Sequence, residues 1–250
     1  MGRSVLNLNT SKGKISPMSG LDSIPLYLVL NSTTATICIF WISKRLKKSL
    51  IDESLVYTLT AVLLVCGFIG ARLTHIIIEE PVWYIQNPLQ VIAIWKGGFV
   101  LYGGIIGGLL GALVFLRKKN LLHRFFLIAD FYTPVISLGL LLGRISCLMA
   151  GCCYGKYCDL PWAIGHRHPT QVYLMIAESI ALTTSLILEK KKNLAPGSIF
   201  FWWIGLHSLG RFIIEFFRDD DRGPMFLISP SGWISLFVLA FIFVKLIRQK

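Results

Sequence analysis

The chain has 250 residues, of which 54% are hydrophobic and 15% charged, with a net charge of +12. That balance excludes a soluble domain and marks an integral membrane protein with room for one domain. The positive excess falls in short clusters between apolar runs, which is a pattern of membrane topology and excludes a nucleic-acid partner.

Residues 1–22 are polar, carry Arg3, Lys12 and Lys14, and contain no apolar stretch. They read as an external arm or a short interfacial helix and not as a cleavable signal peptide. Seven apolar runs follow, at about 25–43, 55–78, 99–116, 125–146, 171–189, 197–217 and 226–246. The predicted fold is therefore an all-α seven-transmembrane helix bundle, one membrane domain over 23–250, with an external cap or loop region. Fourteen of the 25 basic residues lie on one side, at Lys44–Lys48, Arg117–Arg124, Lys190–Lys192 and Lys245–Lys250, and eight on the other. The richer side is cytoplasmic by the positive-inside rule, which puts the N-terminus outside and the C-terminus inside. The connections at 79–98, 147–170 and 218–225 are then external. The first is aromatic (Trp83, Tyr84, Trp95), as suits the headgroup level. The second is too rich in Cys, Gly, His and Pro to be a span, and reads as a loop or re-entrant cap.

Three arginines, Arg72, Arg144 and Arg211, lie at or near the ends of apolar runs. A guanidinium in hydrocarbon costs about +2.5 to 3.5 kcal/mol on insertion scales, so it must face a partner, a wet cavity or an anion such as lipid phosphate. Around them stand three groups of candidate residues. Tyr102 opens a run in which Gly103, Gly107 and Gly111 share one helix face and Gly104 and Gly108 another. The run serves either close helix packing or a surface with room for lipid. Tyr102 is an interfacial belt residue or a donor to a phosphate or ester oxygen. Arg144 precedes the Cys147…Gly151-Cys152-Cys153-Tyr154-Gly155-Lys156 segment, where a planar fork suits phosphate oxygens. His207, Arg211, Glu215 and Arg218 make a polar stripe at i, i+4, i+8 and i+11. An Arg211–Glu215 pair would be in the less favourable order for a local contact, which hints at a partner elsewhere.

Cys147, Cys152, Cys153 and Cys158 gather on the external side, whereas Cys38 and Cys66 sit in spans as small apolar residues. Cys152 or Cys153 could pair with Cys158 on an oxidising face, and a thiol near Arg144 and Lys156 would be activated. The spacing of these cysteines with His166 and His168 fits no standard zinc finger, so no metal and no cofactor is assigned. His168, in the Arg167-His168-Pro169-Thr170-Gln171 run, is a candidate base or a plain hydrogen-bonding residue. Asp130 is expected to pair with a cytoplasmic-side base.

The order of motifs resembles the prolipoprotein diacylglyceryl transferases. The likeness runs through Gly70-Ala71-Arg72, Tyr102-Gly103-Gly104, Ala129-Asp130, Gly143-Arg144, Gly155, Arg167-His168-Pro169-Thr170-Gln171 and Gly210-Arg211-Phe212 with Glu215 and Arg218. The resemblance implies a multi-pass enzyme of the bacterial inner (cytoplasmic) membrane. Such an enzyme moves the diacylglyceryl group of phosphatidylglycerol onto the lipobox cysteine of a prolipoprotein and releases glycerol 1-phosphate. It implies that Arg144 and Arg211 hold the phosphate, that Glu215 orients Arg211, and that Tyr102 stands where the family has a histidine before Gly-Gly. Gly103, Gly104, Gly155, Cys147, Cys152 and His168 would line the lipid site. The signature Gly-Arg-x-Gly-Asn-Phe-x-Asn-x-Glu-x-x-Gly is altered here. Cys147 replaces the Asn after the Arg, Cys152 replaces the Glu, and Leu174 replaces a Glu common after the matching Tyr173. A transferase with a different acceptor, and a non-catalytic lipid-binding or thiol-redox membrane protein, stay open on the residues alone.

Overall fold

The structure is a computed structural model that describes residues 23–47, 51–94, 97–191, 193–219 and 228–248. The expected arm at 1–22, Trp95, Lys96 and most of the 218–225 turn lie outside these residues. The described chain is helical. Its long helices are α1 Ser23–Leu46, α2 Glu53–Thr74, α4 Leu101–Lys118, α5 Phe125–Met149, α6 Thr170–Glu189, α7 Ser198–Glu215 and α8 Pro230–Arg248, with a short α3 at Pro81–Gln86. Each long helix falls on one of the seven expected apolar runs. Four stretches are long and apolar enough to cross a bilayer: Glu53–Glu79, Leu101–Lys118, Leu122–Met149 and Thr170–Glu189. The large apolar side chains that these helices leave exposed, such as Leu64, Val65, Ile106 and Leu110, have lipid as their natural cover.

The chain divides into two units, residues 43–129 and the remainder. In the first, α2 packs along α4. Asp52 starts α2 by accepting from the Leu55 amide at 2.9 Å. The contact with α4 depends on missing side chains. A Cβ on Gly70 would fall within 3.0 Å of Gly107 Cα, and a Cβ on Gly107 would meet Gly70 Cα at 2.9 Å. One on Gly111 would meet Cys66 Sγ at 2.7 Å. The backbones can approach this closely only where both faces are bare, which is the small-residue packing of membrane helices.

At its C-terminal end α2 widens into a π turn, His75–Glu79. Here Arg72 finds its partners. Its guanidinium donates to the carbonyls of Gln90 (2.7 Å), Val91 (3.3 Å), Ala93 (3.5 Å), Gly97 (2.5 Å) and Gly98 (3.1 Å). Gly97 and Gly98 have φ of +82° and +79°, and a Cβ on Gly98 would stand 2.7 Å from the Arg72 nitrogen. The first of the three arginines is thus spent on the connection that follows it.

In the second unit α7 packs between α6 and α8. Asp130 interacts electrostatically with Lys245 of α8, a base of the expected cytoplasmic-side set, and its carboxylate also caps α7, accepting from the amides of Gly197 (2.6 Å) and Phe200 (2.8 Å). Gly197, at φ +90°, turns the chain into that cap. An acid at a helix N-terminus satisfies orphan amides and meets the positive end of the dipole.

Candidate functional site

Helix α5 runs through Arg144 and ends at Met149, a turn beyond the expected span. Gly151 (φ +65°) and Cys153 (φ +59°) then reverse the chain. The reversal folds Cys152 and Cys153 back onto Cys147, and the three sulfurs lie within 4.8 Å of one another. All six cysteines are free thiols. Cys158 is not part of the trio; its amide donates to His166 O at 3.0 Å further along the loop. The pairing expected between Cys158 and Cys152 or Cys153 is therefore replaced by a thiol cluster built around Cys147. Cys158 is carried away by the loop, whereas the last turn of α5 keeps Cys147 beside the reversal. The trio is the one group of three or more metal-type donors among the described residues, and all its donors are soft sulfur.

The cluster is braced from α6. Thr170 Oγ donates to Cys153 O and Gln171 Nε2 to Cys152 O, both at 2.5 Å. The Cys153 thiol is drawn far below the ordinary thiol range by hydrogen bonds from Cys147 and Cys152, with the Arg218 and Arg144 charges adding to the effect. The Cys152 thiol is pushed up by hydrogen bonds with Cys147 and Cys153. Two guanidiniums and three thiols thus share one neighbourhood.

Beyond the cluster the chain makes isolated β-bridges, Gly155 to Arg218 and Tyr157 to Arg167. Gly155 sits between two other segments: its amide donates to His168 O at 3.1 Å, and Lys156 N donates to Phe217 O at 2.8 Å. A Cβ on Gly155 would come within 2.6 Å of His168 and 2.8 Å of Phe217 O, so only glycine fits. Arg167 clamps the same layer. It lies over Tyr154 and Tyr157, and Nη1 donates to Gly155 O and to Asp219, both at 3.2 Å. His168 packs against Tyr173 and Phe217, with Nδ1 3.2 Å from Tyr173 Oη. His166, by contrast, is exposed and faces Asp159 at 3.8 Å.

On α7, Arg211 is half-buried and Glu215 buried. Glu215 accepts from Ser231 Oγ at 3.0 Å, which ties the end of α7 to the start of α8. One turn before Arg211, His207 Nδ1 lies 2.6 Å from the buried carboxylate of Glu178. In the other unit, Tyr102 is half-buried in the first turn of α4, and Gly103 and Gly104 face α2. Packing of the helix pair accounts for both glycines.

The sequence profile of the prolipoprotein diacylglyceryl transferase family matches residues 18–248. The chain belongs to this family. Among its relatives is the phosphatidylglycerol–prolipoprotein diacylglyceryl transferase of Clostridium tetani, 33% identical over 209 residues, which are 79% of this chain and 82% of that one. Another, named phosphatidylglycerol–prolipoprotein diacylglyceryl transferase 2, comes from Clostridium perfringens and is 34% identical over 203 residues, 75% of this chain and 76% of its own. A third, from Dechloromonas aromatica, is 34% identical over 201 residues, 74% and 73%.

Nothing in the sequence joins His207 to Glu178. The 29 residues between them hide the pair, and the available signal was a polar residue on the buried face of each of two consecutive apolar helices.

Proposed function

We propose that the chain is a phosphatidylglycerol-dependent transferase. It moves the diacylglyceryl group to the lipobox cysteine thiol of a prolipoprotein and releases glycerol 1-phosphate. The family supplies the reaction class, and the observation that carries it to this chain is a matched pair of distances. Asp130 of α5 caps the start of α7 at Gly197, while beyond the far ends of both helices Gly155 bridges to Arg218. The two helices therefore run in the same direction between two ties. Arg144 follows Asp130 by fourteen residues and Arg211 follows Gly197 by fourteen. At 1.5 Å per residue both arginines stand about 21 Å from the shared cap. Equal height on parallel helices supports two guanidiniums acting on one phosphate.

The leaving group is a phosphate monoester, so negative charge grows on oxygen as the bond breaks, and preorganised cations are the largest help a protein can give. Arg144 and Arg211 supply them, and Glu215, anchored by Ser231, holds Arg211. Gly155, His168, Cys147 and Cys152 form the wall beside Arg144. In this reading all seven long helices cross the inner membrane, with the N-terminus periplasmic and the C-terminus cytoplasmic. The 147–170 segment forms the external cap.

Expression in cells depleted of their own transferase tests the reading. The wild-type chain should restore lipidated prolipoprotein, and Arg144→Ala and Arg211→Ala should each lower transfer at least about 100-fold, as loss of a transition-state donor does elsewhere. Absence of rescue by a well-expressed wild type refutes it.

A further inference from the structure

Three helices converge on one buried carboxylate. Glu178 of α6 is 4% exposed. Its Oε1 accepts from Ser137 Oγ of α5 at 2.6 Å and from Trp203 Nε1 of α7 at 2.8 Å, and its Oε2 meets His207 Nδ1 at 2.6 Å. Gly210 lets α6 and α7 come this close, because a Cβ there would stand 2.8 Å from the Ala177 methyl. The Trp203 ring stacks on the imidazole with centroids 5.5 Å apart.

This arrangement fixes the tautomer. A carboxylate oxygen only accepts, so Nδ1 must carry the hydrogen and donate, which leaves Nε2 with its lone pair. Nε2 makes no hydrogen bond to any described residue. The His207 side chain is 25% exposed, against 5% for Glu178. A histidine placed only to hold helices together would use both nitrogens. Here one is spent on orientation, and the other is open one helical turn before Arg211.

We propose that His207, oriented by Glu178, is the general base that deprotonates the acceptor thiol. The proposal rests on the transferase reading above. The thiol proton passes to Nε2. The thiolate then attacks the glyceryl carbon that bears the phosphate ester oxygen, so an S–C bond forms and the C–O bond breaks. The electron pair leaves on that oxygen as a phosphate monoester, which takes the proton back from Nε2 and returns the imidazole to its neutral form. Glu178 acts through His207 and is a positioning residue. The groups facing the ring are Glu178 of α6 and Trp203 of its own helix, with the Arg211 charge on the next turn, while Ser137 of α5 braces Glu178.

The test uses the full chain in phosphatidylglycerol vesicles with a synthetic lipobox peptide as acceptor, and follows kcat and KM with pH. Wild-type kcat/KM should rise through one ionisation on the acidic side. His207→Gln should lose at least about 100-fold in kcat, the usual share of a general base, with little change in KM for the lipid. It should also lose that acidic limb, recovering rate only as the pH approaches the thiol's own pKa of about 8.5. Added imidazole should partly restore His207→Gly, which no purely structural role would allow. Glu178→Gln should move the acidic limb with a smaller loss. A His207→Gln variant with the wild-type pH profile, or a His207→Gly variant that imidazole leaves unchanged, overturns the assignment while the transferase reading stands. A wild type that transfers nothing removes both.

Discussion

A thiolate needs positive charge or donated hydrogen bonds near its sulfur, and Cys153 has both. Its neighbours Cys147 and Cys152 donate to it, and Arg218 and Arg144 add charge. Cys153 should therefore still react with iodoacetamide at about pH 6, where an ordinary thiol of pKa near 8.5 is almost wholly protonated. Cys152 should not. Peptide mapping after brief labelling checks this, and equal labelling of the two would refute it. Single residues were also where sequence reading met its limits. Arg144 and Arg211 stand out because a guanidinium in an apolar run is costly wherever it ends up. Arg72 gave the same signal but serves its own connection, and nothing in its neighbours distinguishes five carbonyls from a phosphate. For the thiols, Cys158 stands as an open pairing option for a local reason. Spacing alone favours loop closure onto Cys158, and the extra turn of α5 that brings Cys147 back is invisible without the backbone.

At the level of elements, the glycine run of α4 offers a sharp comparison. A methyl on Gly107 would fall within 3.0 Å of Gly70 Cα and closer still to Cys66 O, whereas one on Gly108 would meet Leu63 O at 3.6 Å, an ordinary contact. Both positions are helical, where alanine is favoured over glycine by about 1 kcal/mol. Gly107→Ala should therefore lower the thermal midpoint in detergent, with overpacking costing about 1–3 kcal/mol, and Gly108→Ala should leave it unchanged or raise it. Similar behaviour of the two would mean that α2 and α4 do not meet along this face. The positions of the helices themselves were readable, since each long helix overlaps an apolar run chosen by hydropathy. The loops were less so. The connection at 79–98 holds a short α-helix and a 3-10 turn, and the 147–170 segment is organised by backbone bridges to Arg167 and Arg218. Such bridges depend on partners more than sixty residues away in the case of Gly155 and Arg218, and leave no periodic trace.

For the whole molecule, the basic clusters make the strongest claim. A fluorescent protein fused after Lys250 should fold and glow, and alkaline phosphatase fused in the 156–166 loop should be active, if the arginine- and lysine-rich ends are cytoplasmic. The reverse result would invert the proposed orientation and put the thiol cluster on the reducing side. The cap on α7 carries a consequence for biogenesis. The ribosome delivers Asp130 long before Gly197 and Phe200, and the amides that neutralise the acid's demand for donors do not yet exist when α5 is released. A nascent chain halted between those points holds an ionisable group with its natural donors missing. The arrival of α7 settles that debt and sets the register of the later helix against the earlier one in the same event.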